Sequence, residues 1–345
     1  NKYNYSKVTE ELNESPYVKF KSNTLLRTNF YRGTADQFSY EWTSDKYGFK
    51  NTKEIAEKKT FKAIAIGDSF TEGVGVDTHK TYPSLLSKEG IPTYNLGVQG
   101  YSLYQSLGAL KKFSNNFNYE YIILNYAKGA YSREKIINKY AQLEGKKKIK
   151  ERNEKIFTGG IGDFNNADHN PEIRFQAYFV TSGIWLYTKF IRKSFLTFFQ
   201  EKMEVSHPIF KPYRNWFADI EKKRSSINLN ELSLIKKPVL ELKKFALERN
   251  KKLIVIFSDY KAITYYEKAT GKEIPKYIFD EFYFWEKFSK KNNIKLLNFS
   301  KIMQDYVNEL PTNQIEEKLP YLKLDGHLNE IGYGLLIHEL KKIVN

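Results

Sequence analysis

Short apolar runs alternate with longer amphipathic segments along most of the chain. Five of these runs are bounded by polar or turn residues: Lys62–Ile66, Pro92–Leu96, Tyr121–Tyr126, Leu253–Phe257 and Lys295–Asn298. Such runs are typical of strands buried on both faces of a parallel sheet. Segments with helical periodicity lie between them: Thr81–Lys88, Leu103–Ser114, Leu232–Arg249 and Pro275–Lys291. The alternation predicts a doubly wound α/β fold.

Two stretches do not fit this alternation. Residues 1–57 are rich in Tyr and Asn and lack helical period, which predicts an extended lead-in packed on an α/β domain at 58–345. The second stretch, at about 131–229, separates the third strand from the helix before the fourth. It far exceeds an ordinary α/β connection of about 2–6 residues. We therefore expect a large helical insertion or cap at this point.

The predicted insertion contains an aromatic stretch at 173–199, which includes Trp185 and Phe190 and is interrupted by Arg and Lys. A basic, aromatic, amphipathic helix can pack on its own core as a cap, cover an active site as a lid, or lie on a membrane surface. The pattern leaves these three alternatives open.

Charge narrows the range of partners. The chain has 56 Lys and Arg against 40 Asp and Glu, a formal net charge of +16, which favours an anionic polymer or an anionic membrane surface. The basic residues are scattered, and no zinc-finger, RNP-type or basic-zipper signature is present. These features argue against nucleic acid as the partner.

Composition also limits the chemistry and the compartment. Cysteine is absent, which excludes disulfides and a cysteine nucleophile, and five scattered histidines predict no metal centre. No apolar run of about 18 residues predicts a transmembrane helix. Because the chain begins at Asn1 rather than Met, we expect a signal peptide or anchor to have been removed. That would make the protein periplasmic or membrane-anchored at the cell envelope.

The candidate chemistry begins where the first strand ends. The apolar run 63–66 leads into 67–69 (Gly-Asp-Ser), which would bring Ser69 to the carboxyl edge of the sheet. A serine nucleophile needs a base and a group that orients this base. Asp325 and His327, near the other end of the chain, could supply both. Although a Gly-Asp-Ser sequence after a strand is often only a turn, this combination predicts a Ser-His-Asp catalytic site.

Donors for an oxyanion are also expected near this serine. The Ser69 N–H would be unpaired if a helix begins there, because the first N–H groups of a helix have no intrahelical acceptor. Gly100 follows the second strand, and a glycine lets its backbone N–H approach a ligand closely. We expect Asp68 to fix the loop by accepting backbone N–H groups rather than to take part in the reaction.

Three blocks of this sequence resemble those of the GDSL/SGNH hydrolases. Residues 67–73 (Gly-Asp-Ser-Phe-Thr-Glu-Gly) match the first block, and 95–100 (Asn-Leu-Gly-Val-Gln-Gly) are similar to the glycine block. Residues 325–332 resemble the last block, which carries the triad Asp and His. Residues 43–50 are similar to a segment that precedes the first block in many envelope-associated members. The resemblance implies a flavodoxin-like three-layer α/β/α sandwich with a mainly parallel five-stranded sheet.

The sequence departs from the family pattern at two points. The family's third block places an Asn side chain at the oxyanion, but here its position falls at about Gly129-Ala130. Losing one oxyanion donor typically lowers turnover about 10²–10³-fold. Asn125, the Gly129 N–H, or Asn165 or Asn166 of the insertion could replace it. Asp325 and His327 are separated by one residue, where many members have two; the shorter spacing is similar to that of the acetyltransferase-like branch.

The resemblance implies ester hydrolysis, or acyl transfer such as O-acetylation, on an acylated glycan or other ester at the cell envelope. No cofactor is implied. Two alternatives remain at this stage. The domain could be catalytically degenerate and act as a glycan-binding or assembly protein, or it could be a membrane-surface lipase that uses the stretch 173–199.

Overall fold

The computed structural model describes residues 8–30, 38–134, 204–222, 229–323 and 325–344. Its strands are β1 (Thr9–Glu11), β2 (Val18–Phe20), β3 (Leu25–Phe30), β4 (Phe38–Thr43), β5 (Ala63–Gly67), β6 (Thr93–Asn95), β7 (Tyr121–Ala127), β8 (Lys252–Ser258) and β9 (Lys295–Asn298). Its α-helices are α1 (Lys53–Glu57), α2 (Ser69–Glu72), α3 (Tyr82–Lys88), α4 (Leu103–Phe113), α5 (Arg214–Glu221), α6 (Leu229–Leu232), α7 (Lys236–Glu248), α8 (Lys261–Thr270), α9 (Asp280–Lys291), α10 (Phe299–Glu309), α11 (Ile315–Lys318) and α12 (Glu330–Val344). The aromatic stretch 173–199 lies outside these residues.

Strands β5 to β9 form one sheet in the order β6-β5-β7-β8-β9, and every neighbouring pair is parallel. The chain leaves β5 for one edge and then returns to β7 on its other side. This reversal is the switch point at which open α/β sheets bind ligands, outside the carboxyl ends of the strands. The five predicted strands are confirmed, and no strand end differs from its prediction by more than one residue.

Successive residues of the sheet face opposite layers. On β7, Ile122 and Leu124 belong to one buried apolar cluster, whereas Ile123 and Ala127 belong to another. The first cluster includes residues of α4, α7 and α9. The second includes residues of α3, α5, α8, α10 and α12. Helices therefore cover both faces, and the expected three-layer α/β/α arrangement is confirmed.

Two predicted helices begin differently from expectation. The segment predicted as Leu232–Arg249 contains a 3₁₀ turn at Ser233–Ile235, and α7 starts only at Lys236. Pro275 was expected in the first turn of a helix, but it lies before a 3₁₀ turn at Lys276–Phe279. Its ψ of 134° is extended, so it cannot be a helical residue.

The N-terminal part is more regular than an extended lead-in. Strands β1 and β2 pair antiparallel, as do β3 and β4. Val18, Phe20 and Trp42 are buried in the cluster that also contains residues of α4, and the rings of Phe20 and Trp42 meet edge to face at 5.1 Å. Within the described ranges, none of the helices combines the length and apolarity that crossing a bilayer would require.

Candidate active site

Ser69 is presented by a sharp strand-to-helix turn. Gly67, the last residue of β5, has a φ of +147°, and a Cβ there would lie 2.4 Å from Thr71 Oγ1 and 2.7 Å from the Asn125 carbonyl oxygen. A residue with a side chain would therefore open the turn. Ser69 follows as the first residue of α2, is 6% exposed, and is preceded by Asp68 as the N-cap.

His327 lies between the serine and a carboxylate. Its Nε2 is 2.7 Å from Ser69 Oγ, although the two residues are 258 positions apart in the chain. Its Nδ1 contacts Asp325 Oδ1, and its backbone N–H donates to the same oxygen at 2.9 Å. One carboxylate oxygen thus holds both the backbone and the ring of His327. This geometry accounts for the single residue that separates Asp325 from His327 in the sequence.

The surroundings of His327 favour its protonated form. Burial alone would lower its pKa, but the charge and hydrogen bond of Asp325 oppose this effect. The negative charges of Asp68 and Glu72 also raise the pKa of His327. The net pKa of His327 is therefore raised above its ordinary value. Such an imidazole accepts a proton more readily than a free one.

Two contacts hold the loop that carries Asp325 and His327. The buried Lys261 ammonium, on α8, donates to the carbonyl oxygens of Leu322 at 2.6 Å and of Asp325 at 3.3 Å. The ring of Phe70, which follows the serine on α2, lies 5.2 Å from the imidazole, centroid to centroid. The loop is thus attached to α8 on one side and to α2 on the other.

Each carboxylate oxygen of Asp68 accepts a hydrogen bond from a different part of the chain. Its Oδ1 accepts the backbone N–H of Phe70 at 3.0 Å, which caps α2, as expected of a loop-fixing residue. Its Oδ2 pairs with the Arg133 guanidinium at 2.6 Å, and the same Arg133 nitrogen donates to the Tyr101 carbonyl at 3.1 Å. The half-buried arginine therefore joins the turn that carries Ser69 to the loop after β6.

The glycine loop after β6 packs directly on the serine helix. A Cβ at Gly97 would lie 2.5 Å from the Glu72 backbone nitrogen, so this contact has no room for a side chain. Gly100, in the same loop, has a φ of +78°. Within the described ranges, the backbone N–H groups of Ser69 and Gly100 donate to no protein acceptor.

A buried carboxylate and a buried ammonium organise this loop. Glu72 Oε2 accepts the Gln99 N–H at 2.5 Å, and Lys50 Nζ donates to the carbonyl oxygens of Gly73 at 2.8 Å and Val76 at 2.6 Å. Burial raises the pKa of Glu72 and lowers that of Lys50, while their mutual attraction opposes both shifts. The lead-in segment therefore contributes a buried charge behind the serine helix.

The expectation for Gly129 needs correction. Its N–H was a candidate replacement for the missing oxyanion donor, but it donates to both carboxylate oxygens of Glu281, at 2.9 and 3.1 Å. Burial raises the pKa of Glu281 to about 6. The Gly129 N–H is therefore already engaged by a residue of α9 and cannot also bind an oxyanion.

Asn125 lies in β7, where it pairs in register with Gly67. Its Oδ1 accepts from Ser258 Oγ at 2.9 Å, and its buried Nδ2 has no hydrogen-bond partner in the described part of the chain. No hydrogen bond joins it to Ser69 or His327 there. The other candidates, Asn165 and Asn166, lie outside the described residues.

Two other histidines make their contacts outside this site. His338 is 71% exposed and lies 3.9 Å from Glu339, whereas His207 Nδ1 accepts the Ile209 N–H at 3.3 Å at the start of a 3₁₀ turn. His169 lies outside the described residues. Among the residues that the structure describes, no group of three or more His, Asp and Glu side chains is arranged to hold a metal ion.

Sequence reasoning missed the charged residues behind the site. Lys50 and Glu72 fall inside two of the blocks considered above, yet their burial could not be read from the sequence. Arg133, Lys261 and Glu281 gave no signal beyond a charge next to an apolar run. Their partners are mostly backbone atoms contributed by distant parts of the chain, which leave no pattern in the sequence.

No family model matches the chain, and no curated protein matches it. Several solved structures are similar. A protein from Desulfitobacterium hafniense described as a G-D-S-L family lipolytic protein is 12% identical, covers 84% of this chain and 100% of its own, and has a TM-score of 0.40. A GDSL-like lipase from Bacteroides thetaiotaomicron is 13% identical, with coverages of 86% and 90% and a TM-score of 0.39. An acetyl xylan esterase is 14% identical, with coverages of 82% and 99% and a TM-score of 0.39.

Proposed function

We propose that this chain is a serine-dependent acyl-ester hydrolase of the GDSL/SGNH type. One observation carries the proposal. Ser69 Oγ lies 2.7 Å from His327 Nε2, and Asp325 contacts the other ring nitrogen. A buried serine, an imidazole with a raised pKa and an orienting carboxylate are the three groups that nucleophilic acyl transfer requires.

The reaction proceeds in two halves. His327 takes the Ser69 hydroxyl proton as Oγ attacks the ester carbonyl, and the carbonyl becomes a tetrahedral oxyanion. The imidazolium then protonates the departing alcohol, which leaves an acyl-Ser69 ester. In the second half, water gives a proton to His327 and attacks this ester, and the acid departs as Ser69 regains its proton. Asp325 remains ionised and stabilises the imidazolium throughout.

The oxyanion is held by backbone donors. The Ser69 N–H lies at the N-terminus of α2, where unpaired N–H groups attract negative charge. The Gly100 N–H belongs to the loop that packs on α2 through Gly97. With the Gly129 N–H engaged by Glu281, we assign the oxyanion to these two donors.

The substrate is proposed to be an acylated glycan at the cell envelope. Support comes from residues 43–50, which resemble a segment of many envelope-associated members, and from the three motif blocks, which resemble the family as a whole. The net charge of +16 would favour an anionic polymer or membrane surface as the setting. If a sugar hydroxyl replaces water in the second half of the reaction, the same acyl-enzyme gives O-acyl transfer.

A fluorophosphonate probe and p-nitrophenyl acetate test the proposal. We expect the wild-type protein to react covalently with the probe and to hydrolyse the ester, and Ser69→Ala to do neither while keeping its melting temperature. Gly334→Ala on α12, where a Cβ would meet nothing within 4 Å, serves as a folded control that retains both activities. If wild-type protein does not react with the probe and binds polysaccharide as well as Ser69→Ala does, the degenerate glycan-binding alternative replaces this proposal.

Adding sugar acceptors distinguishes hydrolysis from transfer. Under transfer, an unacylated oligosaccharide accelerates p-nitrophenol release and appears as an acylated product in mass spectrometry. Under hydrolysis, the acceptor changes neither the rate nor the product. Both results leave the role of Ser69 intact.

A further inference from the structure

A groove with a volume of about 600 Å³ lies at the edge of the sheet opposite to Ser69. Its lining includes Tyr121, Lys252 and Lys295, which lie at the amino ends of β7, β8 and β9. Strands β7 and β8 have seven residues each, so about 20 Å separate this groove from the carboxyl ends of the strands. None of the groups assigned to the acyl-transfer site lines it. The groove is therefore a surface separate from the active site.

Five lysines that are scattered in the sequence converge on this groove. They come from α7, the turn that follows it, β8, β9 and α12, and they are Lys243, Lys251, Lys252, Lys295 and Lys342. None of the described residues that line the groove is acidic. Lys252 pairs with Glu120 at 2.9 Å and Lys342 pairs with Glu339 at 2.6 Å, but neither carboxylate belongs to the lining. Even when these two carboxylates are counted, the groove has an excess of three positive charges.

Several of these ammonium groups can reach a bound anion. Lys251 and Lys295 form no ion pair with a carboxylate in the described part of the chain; Lys251 lies 4.9 Å from the centre of the Tyr119 ring, and Lys295 is exposed. The paired side chains of Lys252 and Lys342 are more than half exposed. Exposed ion pairs contribute little to stability, so these two lysines can exchange their carboxylates for another anion. The groove therefore selects an anionic partner.

The shape of the groove favours a chain over a membrane. Lysines from different elements line a concave surface, whereas a protein that lies on a bilayer presents a continuous apolar face with its charges beside it. The volume is in the range that holds a ligand of several units. Leu247, which is 67% exposed, and Ile343 add apolar surface against which the C–H groups of a polymer can pack.

The aromatic content of the groove argues against nucleic acid. Tyr121 is the one aromatic side chain among the described lining residues, and the ammonium groups of Lys62 and Lys252 already lie over its ring, at 5.4 and 4.9 Å from the centre. Proteins that bind single strands stack the bases on free aromatic rings. The polyanion that fits is one without aromatic groups.

We propose that this groove binds an acidic polysaccharide, a chain whose sugar units carry carboxylate or phosphate groups, through ion pairs that include Lys251 and Lys295. The groove works by binding alone and needs no chemistry at Ser69. Because it lies at the opposite edge of the sheet, it cannot hold the sugar unit that reacts. If the proposed acyl-glycan function also holds, the groove retains the enzyme on its polymer while Ser69 acts on another part of the chain.

Fluorescence anisotropy with labelled dextrans provides the test, because one backbone can be prepared with carboxymethyl groups, with phosphate groups or without charge. We expect at least one of the two charged dextrans to bind saturably to the wild-type protein and equally well to Ser69→Ala, and neutral dextran not to bind. The tighter of the two identifies the anionic group. Binding should weaken as the salt concentration rises, since salt screens exposed charges.

Paired substitutions test the groove itself. Lys251→Gln with Lys295→Gln should weaken binding about tenfold or more, because each ammonium in contact with an anion contributes about a factor of five. Lys251→Arg with Lys295→Arg keeps both charges and should retain binding. The matched control, Lys53→Gln with Lys276→Gln, removes two exposed lysines outside the groove and should bind as the wild type does. All three double variants should keep the melting temperature and the rate of p-nitrophenyl acetate hydrolysis.

The proposal is overturned if neither charged dextran binds the wild-type protein, if the glutamine pair at 251 and 295 binds as the wild type does, or if the control pair loses as much affinity. It is also overturned if single-stranded DNA or anionic vesicles bind through Lys251 and Lys295 and the charged dextrans do not. Because binding is also measured with Ser69→Ala, its failure is distinct from failure of the catalytic proposal.

Discussion

Replacing Gly97 by alanine tests how closely the glycine loop must approach the serine helix. A Cβ at this position would lie 2.5 Å from the Glu72 backbone nitrogen and 2.6 Å from Thr71 Cβ. Ordinary contact begins near 3.4 Å, so the loop and α2 would have to separate by roughly 0.9 Å. Both opposing atoms belong to the single turn of α2, and neither is the end of a flexible side chain.

The expected effect is larger on turnover than on folding. Overpacking of this kind destabilises a protein by about 1–3 kcal/mol. The displacement also moves the Gly100 N–H away from the Ser69 N–H, and a shift of about 1 Å in a positioned group can lower a rate about 10²-fold. Loss of one oxyanion donor has an effect of about 10²–10³-fold. We therefore expect kcat to fall about a hundredfold, with little change in KM.

The assay is steady-state hydrolysis of p-nitrophenyl acetate together with thermal unfolding. Gly334→Ala is the matched control, since it is the same substitution within α12 at a position where a Cβ would meet nothing within 4 Å. It should stabilise the protein by up to about 1 kcal/mol and leave kcat unchanged. Wild-type turnover in Gly97→Ala, or equal effects of the two substitutions, would refute the reasoning.

Two other predictions concern the charges of the site. His327 must be neutral to accept the serine proton, and its pKa is raised, so kcat/KM should rise with pH through a midpoint above 6.5. Asp325→Asn should lower both that midpoint and kcat. A wild-type midpoint below 6.5 would contradict the assignment of His327 as the base. Lys50→Met leaves the Val76 carbonyl without its donor, whereas the Gly73 carbonyl still accepts the Val76 N–H at 3.4 Å, and it removes the ammonium beside Glu72. The free energy of unfolding in urea should therefore fall by about 1–3 kcal/mol, and an unchanged unfolding midpoint would contradict this reasoning.

The predictable part of this fold came from local patterns. The apolar runs at 63–66, 121–126 and 253–257 are short, flanked by polar residues and separated by amphipathic segments, so their strand character needs no knowledge of their partners. The helices at 261–270, 299–309 and 330–344 were not predicted. The two antiparallel strand pairs before residue 44 were also missed, because their rows of polar and aromatic residues give no clear period.

The candidate site also has residues that could be predicted from the sequence and contacts that could not. Ser69, Asp325 and His327 could be named in advance because serine nucleophiles need a base and an orienting carboxylate. The Ser69 and Gly100 N–H groups could be named as candidate donors, but the sequence could not show that the Gly129 N–H is engaged elsewhere. The Gly129 N–H is engaged by Glu281, which is 152 positions away, and that contact exists only once α9 has packed beside β7.

By itself the sequence determined the parallel strands, the strand-to-helix turn that carries Ser69 and the residue types needed for acyl transfer. Each of these depends on side-chain chemistry or on spacing along a short segment. Only the tertiary structure decided that His327 lies 2.7 Å from Ser69 and that Lys50 and Glu72 are buried behind the serine helix. Such features depend on how segments far apart in the chain pack together, and this packing sets which polar groups are satisfied and which remain open to a ligand.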